Sequence, residues 1–204
     1  MEVLPWVFSS GWASGINSYA VVLLLGFFGR LGVDGVPPAL ERTDVMAVAT
    51  VLFVIDTVAD KVPYLDSVWD TVHTAIRPTA GAVIGVLLAG EAGTLNEAVA
   101  GVTGGASAFA SHLVKAGLRA AVNTSPEPAS NIAVSTAEDL TVAGVVSLSV
   151  LNPVAAAVAA AVLLLIGAVL VALLLSRIRR FRREWRDRRE RRAGAAGSHY
   201  TPSE

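Results

Sequence analysis

One apolar run near the carboxyl end constrains this sequence more than any other feature. Residues 154–175 form a stretch of 22 residues without a charged side chain. A helix of about 20 apolar residues spans the hydrocarbon core of a bilayer. Arginines follow at once in SRIRRFRREWRDRRERR, and an arginine-rich flank marks the cytoplasmic end of a span. The sequence therefore predicts a membrane helix followed by a cytoplasmic, Arg-rich tail, residues 177–204, which we expect to be partly disordered.

We expect the tail to bind lipid rather than nucleic acid. It carries 10 arginines against 4 acidic residues, whereas residues 1–176 carry 6 Lys or Arg against 13 acidic residues. Because the tail directly follows a membrane helix, anionic lipid headgroups are its nearest partners. The predicted lipid-facing residues are Arg177, Arg179, Arg180, Arg182 and Arg183. A nucleic-acid-binding arm is the alternative, and its position beside the membrane disfavours it.

Composition extends the membrane prediction to the rest of the chain. Of the 204 residues, 53% are hydrophobic and 16% are charged, and the mean hydropathy is +0.59. A soluble domain carries about 25% charged residues. The opening MEVLPWVFSS lacks the positive n-region of a signal peptide, so the first apolar stretch is expected to be retained as a span. We predict an all-α, polytopic helical bundle over residues 1–176.

Apolar segments within this membrane domain predict about six spans. They cover residues 12–31, 44–60, 64–90, 97–121, 135–151 and 153–176. The second and fifth have short apolar cores, so polar ends must extend them or the bundle must bury them. With the tail inside and an even number of spans, both termini are expected to be cytoplasmic. The predicted location is the cell membrane.

A weak internal repeat predicts how the spans are arranged. Shifting the chain by 90 residues superposes two glycine pairs and two proline pairs: Gly11 on Gly101, Gly15 on Gly105, Pro38 on Pro128 and Pro63 on Pro153. Three spans in each half, residues 8–90 and 98–176, would insert in opposite orientations, which is the 3+3 inverted repeat of many transporters. Chance matches among Ala, Gly and Val are the alternative. The paired glycines, together with Gly81 and Gly85, are also predicted helix-packing positions.

The segment DTVADKVPYLDSVWDTVHTAIRP, residues 56–78, interrupts the apolar pattern with charges. Asp66, Asp70, His73 and Arg77 have the spacing of residues on one face of a helix. A helix with such a stripe is not expected to be surrounded by lipid on all sides. It therefore turns one face toward water or toward other helices.

Further charges precede this stripe. Asp56 and Asp60 lie four residues apart at the end of the second span, followed by Lys61 and an expected bend at Pro63. Ionisable residues inside a membrane are costly, and they mark functional sites. One interpretation is an ion or proton path lined by Asp56, Asp60, Lys61, Asp66, Asp70, His73 and Arg77. The other is an interfacial connector with ordinary i,i+4 ion pairs.

Two hypotheses for function follow from these interpretations. The first is a small cation- or proton-coupled transporter or channel. The second is a non-transporting membrane scaffold or assembly protein, whose GxxxG faces pack a partner or a second copy in a homo-oligomer. No nucleophile elbow, phosphate-binding loop, dinucleotide fingerprint or zinc-ligand spacing occurs in the sequence. An enzyme, a cofactor and a metal site are therefore not predicted.

Other polar residues inside the predicted spans have local explanations. These are helix capping or helix–helix hydrogen bonding for Asn17, Ser18, Ser107 and Ser111, extension toward a headgroup for Lys115, and a helix N-terminus for Glu138 and Asp139. For the asparagine and the serines, a broken helix that exposes backbone groups and simple helix–helix bonding both stay open.

The chain resembles a family of bacterial membrane proteins. SGINSY (14–19), and above all DKVPYLDSVWDTVHTAIRP (60–78) followed by a glycine-bearing apolar helix, look like the family called domain of unknown function 4126. The resemblance covers roughly residues 8–175, and Asp60-Lys61-x-Pro63-x-x-Asp66 is its specific part. The family often has Glu where this chain has Asp56, so the carboxylate is kept but shortened. The resemblance implies a small multi-span membrane protein and supplies no activity.

Overall fold

The computed structural model describes residues 3–62, 64–90, 94–123 and 128–197, with side chains on the last helix described as far as Phe181. Within these ranges the chain is α-helical and contains no strand, which confirms the all-α prediction. The helices are α1 Val3–Arg30, α2 Pro38–Glu41, α3 Thr43–Ala59, α4 Leu65–Ala89, α5 Thr94–Val122, α6 Pro128–Leu151 and α7 Pro153–Gly197. The bend predicted at Pro63 lies outside the described residues.

Two helices extend beyond the predicted spans at their N-terminal ends. α1 begins at Val3 rather than at residue 12, and α6 begins at Pro128 rather than at residue 135. The polar residues inside these extensions, Ser9 and Ser10 on α1 and Ser130 and Asn131 on α6, do not end the helices. Ser9, for example, donates to the Pro5 main-chain oxygen at 3.0 Å. α7 continues through part of the Arg-rich tail to Gly197, so this part is helical.

The surface of the bundle is apolar. Four helices are long and apolar enough to cross a membrane: Val3–Arg30, Leu65–Ala89, Ala129–Leu151 and Pro153–Phe181. Side chains between 60% and 72% exposed include Val48, Val68, Val102, Leu140 and Leu165. Large apolar side chains exposed over so much of a surface mark contact with lipid. These are the features of a helical membrane protein. α3 and α5 are not among the four helices, so length and apolarity do not establish six spans.

α1 is broken inside the bundle at Asn17. The Asn17 backbone, with φ −151° and ψ 94°, is extended rather than helical. Its side-chain oxygen accepts a 3.0 Å hydrogen bond from the Ala20 N–H, which is the contact of an N-cap with the third residue of a helix. Asn17 therefore ends one helical segment and caps the next. Both explanations open for this residue apply, because the helix is broken here and the Asn17 amide also donates to Asp139 of α6.

The two halves of α1 both run from Asn17 toward the same end of α4. Val3, at the start of the first half, lies beside Ala89 at the end of α4. In the second half, the Tyr19 hydroxyl lies 3.0 Å from His73 Nε2, and Val22 lines a groove whose α4 residues run from Ala75 to Leu87. The helix is therefore a V, with its apex in the middle of the bundle and both arms toward the end of α4.

Glycines bring α1, α4 and α5 into backbone contact. At each of five positions, an added Cβ would lie closer than 3.0 Å to a main-chain oxygen of a neighbouring helix: Gly11, Gly15, Gly81, Gly85 and Gly104. Backbones approach this closely only where no side chain intervenes. The three helices therefore form the tightly packed centre of the fold.

The repeat partners of Gly11 and Gly15 have looser surroundings. A Cβ on Gly101 would lie 3.0 Å from the Val86 side chain, and one on Gly105 would lie 3.2 Å from the side chain of Ala82. α5 also runs unbroken from Thr94 to Val122, whereas α1 is broken. Its serines bond locally or to α1, as Ser111 does to the Trp12 main-chain oxygen at 2.6 Å.

Gly15→Ala is expected to destabilise the fold, because its methyl group would collide with the Ala108 main-chain oxygen. Overpacking of this kind costs about 1–3 kcal/mol. Gly144→Ala is the matched control, since a Cβ there meets nothing within 4 Å. Thermal unfolding in detergent should show a lower midpoint for Gly15→Ala and no loss for Gly144→Ala. Equal midpoints would contradict the packing described.

Candidate functional site

The charged stripe of α4 is buried, and the apolar face of the same helix is exposed. Asp66, Asp70, His73 and Arg77 are each 3% exposed or less, whereas Val68 on the other face is 63% exposed. An amphipathic helix of a soluble protein has the reverse arrangement. α4 therefore presents its charges to the other helices and its apolar side chains to the surface.

Arg77 joins two carboxylates at the inner end of the stripe. Its guanidinium donates to Asp70 Oδ1 at 3.0 Å and to Asp56 Oδ1 at 3.1 Å. Asp56 Oδ1 also accepts the indole N–H of Trp69 at 2.6 Å. A buried ion pair persists only where hydrogen bonds and close geometry offset the loss of hydration. These bonds fix the end of α3 against the middle of α4.

Two histidines flank Arg77, and their partners define which nitrogen carries a proton. His73 Nδ1 lies 2.8 Å from the Trp69 main-chain oxygen, which can only accept, so Nδ1 is protonated. His73 Nε2 lies 3.0 Å from the Tyr19 hydroxyl of α1. His112 Nδ1 lies 3.3 Å from the Arg77 guanidinium, which can only donate, so this ring is neutral with its proton on Nε2.

A second group of charges lies on α5 and α6. Lys115 Nζ donates to the Asp60 carboxylate and lies 3.6 Å from Glu138 Oε2. Arg119 donates to Glu138 Oε2 at 2.7 Å and to the main-chain oxygen of Asp60. Lys115 and Arg119 are 2% and 1% exposed. Asp60, at the end of α3, is therefore held from α5, which also binds Glu138 of α6.

The break in α1 is bound by the same group. Lys115 Nζ donates to the Ile16 main-chain oxygen at 3.1 Å, directly before the break. Main-chain oxygens at the C-terminal end of a helix carry partial negative charge, which an ammonium group stabilises. Asn17 Nδ2 donates to Asp139 Oδ1 at 3.2 Å. Polar side chains from α5 and α6 thus hold both sides of the break.

The charges continue toward the end of the bundle where α5 ends and α6 begins. Asn123 donates to Asp66 Oδ1 at 2.9 Å and accepts from Asn131 of α6 at 3.3 Å. Lys61 is half-buried at this end and reaches Ser135 Oγ at 3.4 Å. Polar groups therefore form a continuous series from this end of the bundle to the break in α1.

Small and apolar residues fill the other half of the bundle. Beyond Arg77, the buried residues of α4 are Gly81, Ile84, Gly85, Leu88 and Ala89. The two glycines are in backbone contact with α5, which leaves no space for water between the helices there. The ionic network therefore occupies one half of the bundle and stops at its middle.

The network holds more carboxylates than cationic side chains. Its six carboxylates are Asp56, Asp60, Asp66, Asp70, Glu138 and Asp139, and its four cationic side chains are Lys61, Arg77, Lys115 and Arg119. Four carboxylate oxygens accept no hydrogen bond from the protein: Asp56 Oδ2, Asp60 Oδ1, Asp70 Oδ2 and Glu138 Oε1. A buried carboxylate costs several kcal/mol unless a partner or a proton compensates it. The arrangement therefore suits the binding of additional protons or cations.

The structure brings the seven residues of the predicted path into this one network, with Lys61 at its edge: Asp56, Asp60, Lys61, Asp66, Asp70, His73 and Arg77. The expectations for two partners of these residues, Lys115 and Glu138, were wrong. Lys115 does not extend toward a headgroup, because the Ile16 and Asp60 oxygens bind its ammonium inside the bundle. Glu138 does not lie at a helix N-terminus, because α6 begins at Pro128.

A signal for these partners was present in the spacing. His112, Lys115 and Arg119 follow one another at i, i+3 and i+7 on α5, which places them on one face. Asn131 and Glu138 are likewise seven residues apart on α6. Lys115 and Arg119 each lie between apolar residues in the sequence, so hydropathy averages concealed the stripe on α5.

The remaining predicted residues lie outside the network. Arg177, Arg179 and Arg180 are exposed on α7, and the side chains of Arg182 and Arg183 lie outside the described residues. Among the residues that the structure describes, no group of three or more His, Cys, Asp or Glu could hold a metal ion.

One family model matches the chain. It carries the description Domain of unknown function (DUF4126) and matches residues 4–173, which agrees with the resemblance seen in the sequence. The match includes every residue of the ionic network and ends before the Arg-rich tail. No curated protein and no solved structure matches the chain.

Arg77→Met is expected to destabilise the protein by about 3–5 kcal/mol, because it leaves Asp56 and Asp70 buried without their shared cation. Arg42→Met removes an exposed ion pair with Asp44 and is the matched control. Chemical unfolding in detergent should show a large loss for the first variant and no measurable loss for the second. Equal stabilities would show that Arg77 does not compensate these carboxylates.

Proposed function

We propose that this chain, which belongs to the Domain of unknown function (DUF4126) family, is a small secondary transporter that moves protons or monovalent cations across a membrane. The observation that carries the proposal is the buried network with more carboxylates than cations, inside a bundle with an apolar surface. Ionisable side chains are costly in a membrane, and ion paths and proton relays are where they occur. The network provides such a path through half of the bundle.

The broken helix supports the same proposal. Transporters of several folds bind substrates and ions at helices interrupted near the middle of the bilayer, where the ends of half-helices are available. Here Asn17 interrupts α1 beside Asp139, and Lys115 binds the main-chain oxygen of Ile16. The break thus lies at the inner end of the network.

The packing favours a transporter over an open channel. Beyond Arg77, the backbone contacts of Gly81 and Gly85 with α5 close the bundle. A group bound in the network can leave to the other side only if this packing opens, which is the alternating access of a transporter.

We propose that the network opens at the end where Lys61 and Asn123 lie half-buried, and that this end faces the cytoplasm. Gly117 of α5 packs on Val171 of α7, so the two helices run together and the Arg-rich end of α7 lies near the end of α5. By the positive-inside rule, that end faces the cytoplasm. Anionic lipid headgroups remain the proposed partners of Arg177, Arg179 and Arg180.

The V shape of α1 changes the proposed topology. Val3 lies beside Ala89, at the end of the bundle opposite to the Arg-rich part of α7. In this proposal α1 enters the membrane and returns at Asn17, and five helices cross. Residue 3 and the tail then face opposite sides, in place of the sequence expectation of six spans with both termini cytoplasmic. The 3+3 inverted repeat stays a prediction, and the transport proposal does not depend on it.

The scaffold alternative has weaker support. It rested on GxxxG faces that pack a partner or a second copy. In the structure Gly11, Gly15, Gly81 and Gly85 pack within the chain itself. These faces are therefore not available to a partner while the fold is intact.

Transport is tested by flux in proteoliposomes. With a gradient of Na⁺ or K⁺, the wild-type protein should move protons that a trapped pH-sensitive dye detects. Joint replacement of Asp60 and Asp66 by Asn should slow this flux at least about tenfold, a change of about 1.4 kcal/mol in the barrier. Asp44→Asn, at an exposed carboxylate, should leave the flux unchanged.

Each variant is first checked for a wild-type unfolding midpoint. A folded double variant with wild-type flux would contradict the proposed path. The absence of any flux from folded wild-type protein, with any tested cation, would leave the scaffold hypothesis in its place.

The proposed topology is tested with reporter fusions. A reporter before Val3 and one inserted between Ala89 and Asn96 should lie on the same side of the membrane, because the structure places these residues together. A reporter after Arg192 should lie on the other side. An N-terminal reporter on the same side as the tail reporter would restore the six-span topology and contradict a re-entrant α1.

A further inference from the structure

We propose that the oxygens around Lys115 form the binding site of a monovalent alkali cation, and that the Lys115 ammonium occupies this site as an internal substitute for that cation. This inference rests on the proposed function, because it names what the network binds and what it releases. Cation binding would require Lys115 to lose its proton. The protein would then exchange one cation for one proton.

The site is built from oxygens of three helices. Lys115 Nζ donates to the Ile16 main-chain oxygen of α1 at 3.1 Å and to the Asp60 carboxylate of α3, and it lies 3.6 Å from Glu138 Oε2 of α6. Main-chain oxygens at helix breaks and carboxylates are the ligands that coupling cations use in transporters. An ammonium group is a compact point charge, so it can stand in for an alkali cation among the same oxygens.

Lys115 is suited to this exchange in a way that its neighbours are not. Arg77 and Arg119 are also fully buried, but a guanidinium group does not lose its proton in proteins. Lys61 is only half-buried and lies at the edge of the network. Among the described residues, Lys115 is therefore the fully buried cationic side chain that can become neutral.

A cavity gives the neutral lysine space to withdraw. It has a volume of ≈ 240 Å³ and lies between α1, α5, α6 and α7, where Trp12, Ser111, Lys115, Glu138 and Thr141 line it. Liquid water occupies about 30 Å³ per molecule, so the cavity has room for several waters or for a displaced side chain. Most of its wall is apolar, which suits an uncharged amine better than an ammonium group.

The charge of the site balances in one exchange. The Lys115 ammonium releases one proton, which leaves through the open end of the network, and the amine withdraws. One alkali cation then binds the Ile16, Asp60 and Glu138 oxygens. One positive charge leaves and one enters, so the number of buried charges without compensation does not change. The predicted stoichiometry is one cation for one proton.

Other charged groups face Lys115 and must be separated from it in any test. They are Asp60 of α3, Asp70, His73 and Arg77 of α4, His112 and Arg119 of α5, and Glu138 and Asp139 of α6. Protonation of any of these carboxylates would also oppose cation binding. Variants of Lys115 itself are therefore needed to identify the source of a released proton.

The experiment uses the purified full-length protein in detergent and weak buffer. NaCl or KCl is added, with choline chloride as the ionic-strength control. Cation binding is followed by tryptophan fluorescence, since Trp12 lines the cavity, and proton release by a pH indicator. The wild-type protein should release about one proton for each Na⁺ or K⁺ bound, the charge balance of a single buried site.

Two variants of Lys115 and one control make the test specific. Lys115→Gln should bind the cation without releasing a proton, and the cation should raise its unfolding midpoint. Lys115→Arg keeps a permanent charge in the site and should not bind the cation. Arg42→Gln should behave like the wild-type protein, because Arg42 is exposed and lies outside the network.

The outcomes separate this inference from the transport proposal. Wild-type proton release by Lys115→Gln, or cation binding by Lys115→Arg, would overturn the role of Lys115 and leave transport to the flux assay. No binding of either cation by folded wild-type protein would also overturn it. If Lys115→Gln folds only when Na⁺ or K⁺ is present, the inference is supported. If Lys115→Gln does not fold in any of the tested salts, cation binding by the wild-type protein and by Lys115→Arg is compared. Binding by the wild-type protein alone supports the inference, and binding by both overturns it.

Discussion

The fold depends on the cost of charge in an apolar bundle. A buried ionic group persists only where partners reach it, and no single helix supplies enough of them. Here Asp60 ends α3, Arg77 lies on α4, Lys115 lies on α5 and Glu138 lies on α6, and each is bound by a group from another helix. The network thus connects helices whose backbones approach each other closely at few positions, such as α3 with α4 and α5 with α6. It also holds the break in α1, since Lys115 binds the last oxygen before the break.

The sequence predicted the features that depend on local periodicity. The spacing of Asp66, Asp70 and Arg77 placed them on one face, and that face is buried. Asn17 was recognised as a residue that could cap a broken helix, and it does so. The glycines on α1 and α4 were recognised as packing positions, and they lie in backbone contact with α5. The residues that share one face of a helix can be identified from the sequence without knowing which helix packs against that face.

Features that depend on partners from distant helices were not predicted. Lys115 lies in an apolar segment, so extension toward a headgroup was the simplest explanation; its carboxylate partner is 55 residues away in the chain. The direction of α1 after Asn17 was missed for a similar reason, because hydropathy reports the length of an apolar segment and not its path. Because its first residues are polar, α6 was predicted to begin later than it does. These residues bond inside the bundle and do not end the helix. The proposed function rests on the balance of buried charges, which appears only when α1, α3, α4, α5 and α6 are assembled.

The central claim is that a buried ionic network opens to the side of the Arg-rich tail and is closed toward the other side. The chain contains no cysteine, so single cysteines can be introduced without background labelling. Ser67 and Ser135 lie in the network, and Ser107 lies in the tightly packed half. The direct measurement is the rate at which a water-soluble thiol reagent modifies Ser67→Cys, Ser135→Cys and Ser107→Cys from each side of sealed vesicles. The account predicts rapid modification of the first two from the tail side, and slow modification of Ser107→Cys from both sides. Faster modification of the first two from the side opposite to the tail would contradict it.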